Sequence, residues 1–151
     1  MNLCLDVKFD ASRKDRIMAD IFKVQIITPD RIFYEGESNF IEFTTVAGEV
    51  GVYANHIPMT TVLAPGVVTI HNGEEEVVAA VHAGIAEILG DKVTLLAEIA
   101  EWPDEIDVNR AEAAKDRAEE RIANKAENID VARAEFALRK ALIRIDVAGY
   151  R

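Results

Sequence analysis

The chain changes its manner of punctuation at Trp102-Pro103. All four prolines and seven of the eight glycines lie at or before Pro103; beyond it stand one glycine, Gly149, no proline and a frequent alanine. Glycine costs about 1 kcal/mol and proline about 3 kcal/mol inside a helix, relative to alanine. The front of the chain is therefore written for turns and short strands, and the back for helices. These residues predict an antiparallel β-sandwich over 22–102 and an antiparallel α-helical hairpin over 103–151, an α+β fold. Residues 1–21 carry mixed charge and no apolar period, so a disordered extension is expected there, with Met18 as an alternative start.

Within the front part, β-rich runs alternate with turn signals. Phe22–Ile27 is closed by Thr28-Pro29-Asp30, and Arg31–Tyr34 by Gly36. In Phe40–Thr45, Phe40, Glu42 and Thr44 fall on one side and Ile41, Phe43 and Thr45 on the other. Gly48 and Gly51 are expected to bracket a tight turn. Val67–His71 and Glu74–Val81 flank Asn72-Gly73, the pair favoured in type I′ hairpins because both positions need positive φ. Gly84–Leu89 and Lys92–Glu98 flank Gly90-Asp91. Seven or more short strands at this spacing suggest a sandwich or barrel.

In the back part Asp104 or Asp107 can cap a first helix. Ala111, Ala114, Ala118 and Ile122 recur on one face of it. Asn124–Asn128 reads as a polar connection, with Asn128 or Asp130 as the second cap. Ala134, Ala137, Leu138, Ala141, Ile145 and Ala148 form the second stripe. A short connection makes two helices antiparallel neighbours. Alanine seams bury little area, and at about 25 cal/mol per Å2 they stabilise the hairpin only modestly. The sandwich or another partner must help to hold it.

Net charge is −10, and nearly all of it lies in residues 1–103, with 16 acids to 7 bases. Such a surface repels phosphate backbones, so nucleic acid is not an expected partner. Cys4 is the only cysteine, which rules out an intramolecular disulfide and a cysteine metal site. No run reaches the roughly 18 apolar residues of a membrane span, so no direct membrane insertion is expected. Charges interrupt the N-terminus as they would not in a signal peptide, which points to the cytosol. No P-loop is present. Ser12 and Ser38, the only serines, have no histidine near them in sequence. His56, His71 and His82 lack metal-ligand spacing. His71 and His82 fall on opposite arms of one hairpin, but two histidines without a third ligand make a poor zinc site. Neither a catalytic nor a metal site is expected, and no cofactor is required. Glu74-Glu75-Glu76 reads as a solvated loop or as a docking patch for a basic partner.

The helical charges form columns. Glu112, Asp116 and Glu120 make an acidic one; Arg117, Arg121 and Lys125, with Arg110 before them, a basic one; Arg133, Lys140 and Arg144 make a second basic ridge. Like charges at i, i+4 destabilise a helix by about 0.2–0.5 kcal/mol per pair. Two accounts stay open. Acid columns of one helix meet basic columns of the other, or facing basic ridges clamp a phosphate or an acidic surface.

Gly48-Glu49-Val50-Gly51-Val52-Tyr53-Ala54-Asn55-His56-Ile57-Pro58, followed by Pro65-Gly66, resembles a segment of the epsilon subunits of bacterial F-type ATP synthases. So do Ala83-Gly84-Ile85-Ala86-Glu87-Ile88 and Lys92–Ala97, in order. Ile106-Asp107-Val108-Asn109-Arg110-Ala111 is similar to the Ile/Leu-Asp-x-x-Arg-Ala motif of ATP-binding members. The resemblance runs from about Phe22 to Val147. It implies a central-stalk subunit that couples proton translocation to ATP synthesis at the cytoplasmic side of the bacterial cell membrane, as a peripheral protein. Its sandwich would bind the gamma subunit and the c-ring. Its hairpin would fold on the sandwich or extend toward the alpha and beta subunits, where it inhibits ATP hydrolysis. It implies a regulatory ATP site at Glu101, Ile106, Asp107, Arg110, Ala111, Arg117, Lys140 and Arg144. Lys140 departs from the family's arginine, keeping the charge without the fork. The alternative from a different class is a free-standing sandwich that binds a small ligand, with the helices as a dimerisation arm.

Overall fold

In strand β1 (Phe22–Ile27) Phe22, Val24 and Ile26 are buried and the residues between them are not, the period of a half-buried strand. This holds in the computed structural model of the chain, which describes residues 20–124 and 130–150. Seven more strands follow: β2 (Ile32–Ser38), β3 (Phe40–Thr45), β4 (Gly48–Tyr53), β5 (Met59–Leu63), β6 (Gly66–Asn72), β7 (Glu75–Ile88) and β8 (Lys92–Glu101). Their order is β2-β1-β8-β7-β5-β3-β4, with β6 pairing β3 and β7. Two helices complete the fold, α1 (Val108–Asn124) and α2 (Val131–Ala148). The sandwich followed by a helical hairpin is thus the observed architecture. All strand pairs are antiparallel except β1 with β8. That exception needs a long crossover, and the whole intervening sandwich supplies it.

Four local expectations change. The turn before β4 lies at Val46-Ala47, closed by Thr45 pairing with Gly48 and by the Thr45 hydroxyl, which donates to the Gly48 carbonyl at 2.8 Å. Gly51 sits inside β4 opposite Glu42, because a Cβ there would come within 2.9 Å of the Phe40 ring. β2 runs through Gly36 to Ser38 rather than ending at Tyr34. In the β6–β7 hairpin Asn72 pairs with Glu75, so the turn is Gly73-Glu74; only Gly73 has positive φ (65°), as in a type II′ turn rather than type I′.

The fourth change is in β7, which is one bent strand and not two. Ala83 (φ 58°) and Gly84 (φ 134°) invert the pleat. Ala79 and Val81 face the sandwich core before the bend, Ala86 and Ile88 after it. The first half pairs with β6 and the second with β5, so one strand serves both layers. A Cβ on Gly84 would collide with the Leu96 carbonyl oxygen.

Before the bend, Val78, Ala80 and His82 turn away from the sandwich core. Val78 and Ala80 meet Ile106, Val147 and Ala148 in a second cluster, and α2 packs on β7 and β6. The hairpin is therefore folded against the sandwich. Asp107 caps α1 by accepting from Arg110 N at 3.1 Å, and Asp130 caps α2 by accepting from Arg133 N at 3.0 Å. The cap alternative Asn128 and the charge at Lys125 lie outside the described residues, as does the expected disorder of 1–19. The seam buries Ala111 and Ala118 of α1 and Ala134, Ala141 and Ala148 of α2 at seven-residue spacing. Ala137 departs from the expected stripe and is exposed, and Val147 is buried in its place.

Candidate functional site

The last strand delivers the site. β8 ends at Glu101, and the chain then turns through Trp102–Asp107 into α1. This connection is tied down on one side. Trp102 stacks on Phe33 with ring centroids 4.1 Å apart. Its backbone N–H donates to Glu105 Oε2 at 3.0 Å, and Arg31 Nη2 donates to both oxygens of the same carboxylate at 2.6 and 2.8 Å. The Trp102 N–H and then Arg31 hold the Glu105 carboxyl below its ordinary pKa. Ile106 is buried in the cluster between sheet and hairpin, which fixes the start of α1.

Between the end of β8 and the two helices lies a cleft of about 410 Å3. Glu101, Asp107, Arg110, Ala111, Arg117 and Arg144 line it. The fold thus gathers six of the eight positions singled out in the sequence. Ile106 lies beneath as packing. Lys140 is not on the wall; its Nζ sits 4.8 Å from the centre of the Phe136 ring.

The acids of the cleft are already committed. Glu101 Oε2 accepts from Arg144 Nε at 2.6 Å and from His82 Nε2 at 3.2 Å; Glu105 serves Arg31 and Trp102; Asp107 caps α1. The side chains of Arg110 and Arg117 make no hydrogen bond or ion pair with a described residue, and Arg144 uses only its Nε. The uncommitted donors are therefore cationic, fork-shaped and convergent, a donor set suited to phosphate or carboxylate. Burial would raise the Glu101 pKa, but hydrogen bonds from His82 and Arg144, and the Arg144 charge, outweigh it and hold the carboxyl below its ordinary value.

His82 is the residue that sequence reasoning set aside. Its side chain is fully buried beneath Glu101. Burial lowers its pKa, with Arg144 and Lys140 acting in the same sense and the Glu101 hydrogen bond opposing. The suggested nearness of His71 and His82 does not arise. His71 pairs in register with Glu76, six residues before His82, about 20 Å away at 3.3 Å per residue. The helix charges also differ from one of the two accounts: among the described residues no ion pair joins the two helices. The seam is alanine, and the basic ridge splits, with Arg110 and Arg117 in the cleft and Arg121 exposed elsewhere. Among the described residues no group of His, Cys, Asp and Glu could hold a metal ion, and no helix is long and apolar enough to cross a membrane.

Residues 21–103 match the model of the ATP synthase delta/epsilon chain β-sandwich domain, and residues 104–149 that of the delta/epsilon chain long α-helix domain. The chain belongs to the ATP synthase delta/epsilon family. Curated relatives agree. The ATP synthase epsilon chain of Halalkalibacterium halodurans is 46% identical over 127 residues, 83% of this chain and 96% of that one. That of Caldanaerobacter subterraneus is 41% identical over 133 residues, 87% of this chain and 96% of that one. The fold also resembles a chain in the structure of the Euglena gracilis mitochondrial ATP synthase OSCP/F1/c-ring, with a TM-score of 0.72 and 22% identity over 84% of this chain and 80% of that chain. A delta/epsilon chain is a subunit of ATP synthase. The free-standing ligand module is thereby set aside.

Proposed function

We propose that this subunit senses ATP through its hairpin and uses the hairpin to restrain ATP hydrolysis by the enzyme it belongs to. One observation carries the reading: with the hairpin folded on the sandwich, Arg110 and Arg117 of α1 and Arg144 of α2 converge on one cleft with donors to spare. A polyphosphate there would meet two forks from one helix and one from the other, tying the helices to each other and to the end of β8. Nucleotide then favours the folded form, and its absence releases the hairpin toward the alpha and beta subunits.

The sandwich is the standing part of the rotor in this reading. It binds the gamma subunit and the c-ring, on the cytoplasmic side of the membrane. A row of exposed apolar residues, Val62, Ile85 and Leu96, runs in register across β5, β7 and β8 and suits a permanent partner surface. The subunit does no chemistry of its own, for the cleft holds no nucleophile beside a base. Calorimetric titration of the purified chain with ATP tests the sensing role. Saturable binding that weakens in Arg110→Ala and Arg144→Ala supports it; equal affinity in wild type and both variants would return the arginines to solvent or to a partner surface.

A further inference from the structure

His82 projects from β7 on the side that α2 covers, beyond Val78 and Ala80, which pack on Val147 and Ala148. Its side chain has no solvent exposure. The charged groups that face it are Glu101 from β8 and Lys140 and Arg144 from α2. Because Glu101 is ionised and can only accept, His82 Nε2 must carry the hydrogen of that contact. The other ring nitrogen, Nδ1, is buried and has no hydrogen-bond partner. As a bare lone pair it is tolerated. As an N–H of an imidazolium it would be a buried donor with no acceptor, on a ring flanked by two cations of α2.

We propose that His82 makes hairpin docking sensitive to protons: the hairpin closes over a neutral imidazole, and protonating His82 releases it. The proposal rests on the mobile-hairpin reading above and adds to it a second input beside nucleotide. Its logic is burial. When α2 lifts away, Lys140 and Arg144 leave, water reaches the ring, and Glu101 remains as a counter-charge, so the open form takes up the proton that the closed form refuses. The closed form is thus fully favoured above the ordinary imidazole pKa, near 6.5, and loses ground as pH falls below it. Acidification and loss of ATP would then push the hairpin the same way, toward the extended form. His82 touches no ligand wall itself. It is a positioning residue, acting through the Glu101 oxygen that also holds Arg144.

The test reads docking directly, without nucleotide, since phosphate itself titrates near pH 6. Spin labels at Glu74, in the β6–β7 turn, and at Arg139, on the exposed side of α2, report the sheet–hairpin distance in the full chain carrying Cys4→Ser. Between pH 7.5 and 5.5 the ratio of docked to released chain should fall by up to about tenfold in wild type, the linkage of one proton. In His82→Gln, which keeps a donor for Glu101 but cannot titrate, it should change by less than about twofold. The same pH dependence in both chains overturns the proposal, as does a flat wild-type profile in a chain whose hairpin ATP can shift. A chain that shows no released form at any pH or ATP concentration overturns the mobile-hairpin reading itself, which is a different result. Should His82→Gln fold poorly, nuclear magnetic resonance titration of the three histidines of the wild-type chain decides. His56 and His71, both partly exposed, account for the other two imidazole signals. His82 should resist charging while docked, and an imidazolium formed at ordinary pH with the hairpin still closed would refute the idea.

Discussion

The arginines of the cleft do not share one electrostatic situation, and substitutions at Arg144 and Arg110 should separate accordingly. Arg144 holds Glu101 through Nε at 2.6 Å, so Arg144→Ala removes a ligand donor and also leaves a half-buried carboxylate with His82 alone. Arg110 has no such second partner. Hydrogen bonds to charged groups contribute about 1.5–3 kcal/mol each. Arg110→Ala should therefore weaken ATP binding by roughly tenfold to a hundredfold with little change in melting temperature, while Arg144→Ala should lower both. Calorimetry beside thermal denaturation distinguishes them. Lys140→Arg should tighten binding by supplying a fork one turn before Arg144; an unchanged affinity would leave position 140 to its contact with Phe136. Asp107, Arg110 and Ala111 of the wall were legible from one motif, because they are close in sequence. Arg31 and His82 were not. Each meets the site across long sequence separation, and neither residue type, alone in a strand, announces a partner.

At the scale of elements, the bend in β7 and the alanine seam are the two devices that place the cleft. Gly84 holds φ at 134° with no room for a side chain. Backbone strain of this kind costs about 1–3 kcal/mol before any clash is counted, so Gly84→Ala should destabilise the sandwich by at least that much in urea unfolding. The hairpin behaves differently. Ala141 is 1% exposed at the seam, and an added leucine side chain there costs typically 1–3 kcal/mol through overpacking. Ala141→Leu should open the hairpin and abolish ATP binding while the strands keep their urea midpoint. A joint loss of strands and hairpin in one transition would show instead that they fold as a unit. The strand pattern was readable wherever alternation was clean, as in β1 and β3. It failed at Gly51 and at the Ala83-Gly84 bend. There glycine serves a close approach or an inverted pleat inside a strand, and the sequence shows only a residue that usually ends one.

On the scale of the whole molecule, two apolar clusters of unequal weight set the order of events. Among the described residues the sandwich core includes Phe43, Ile41, Ile70 and Leu95, all nearly inaccessible, whereas the sheet–hairpin cluster is built from Val78, Ala80, Ile106, Val147 and Ala148. Burying a large aliphatic or aromatic side chain contributes about 1.5–3 kcal/mol, and alanine much less. The sandwich should thus stay folded through a change that frees the hairpin. Two folded forms a few kcal/mol apart are within reach of a ligand, since ATP at 100 times its dissociation constant stabilises the form it binds by about 2.7 kcal/mol. The isolated chain should still hydrolyse no ATP, and turnover abolished by a substitution in this chain would contradict that. The most direct test is amide hydrogen exchange of α2 in the purified chain, with and without saturating ATP. ATP is predicted to slow exchange along α2 by up to about a hundredfold and to leave the strand amides unchanged. Bound ATP with unaltered α2 exchange would contradict the claim that nucleotide and hairpin closure are one equilibrium.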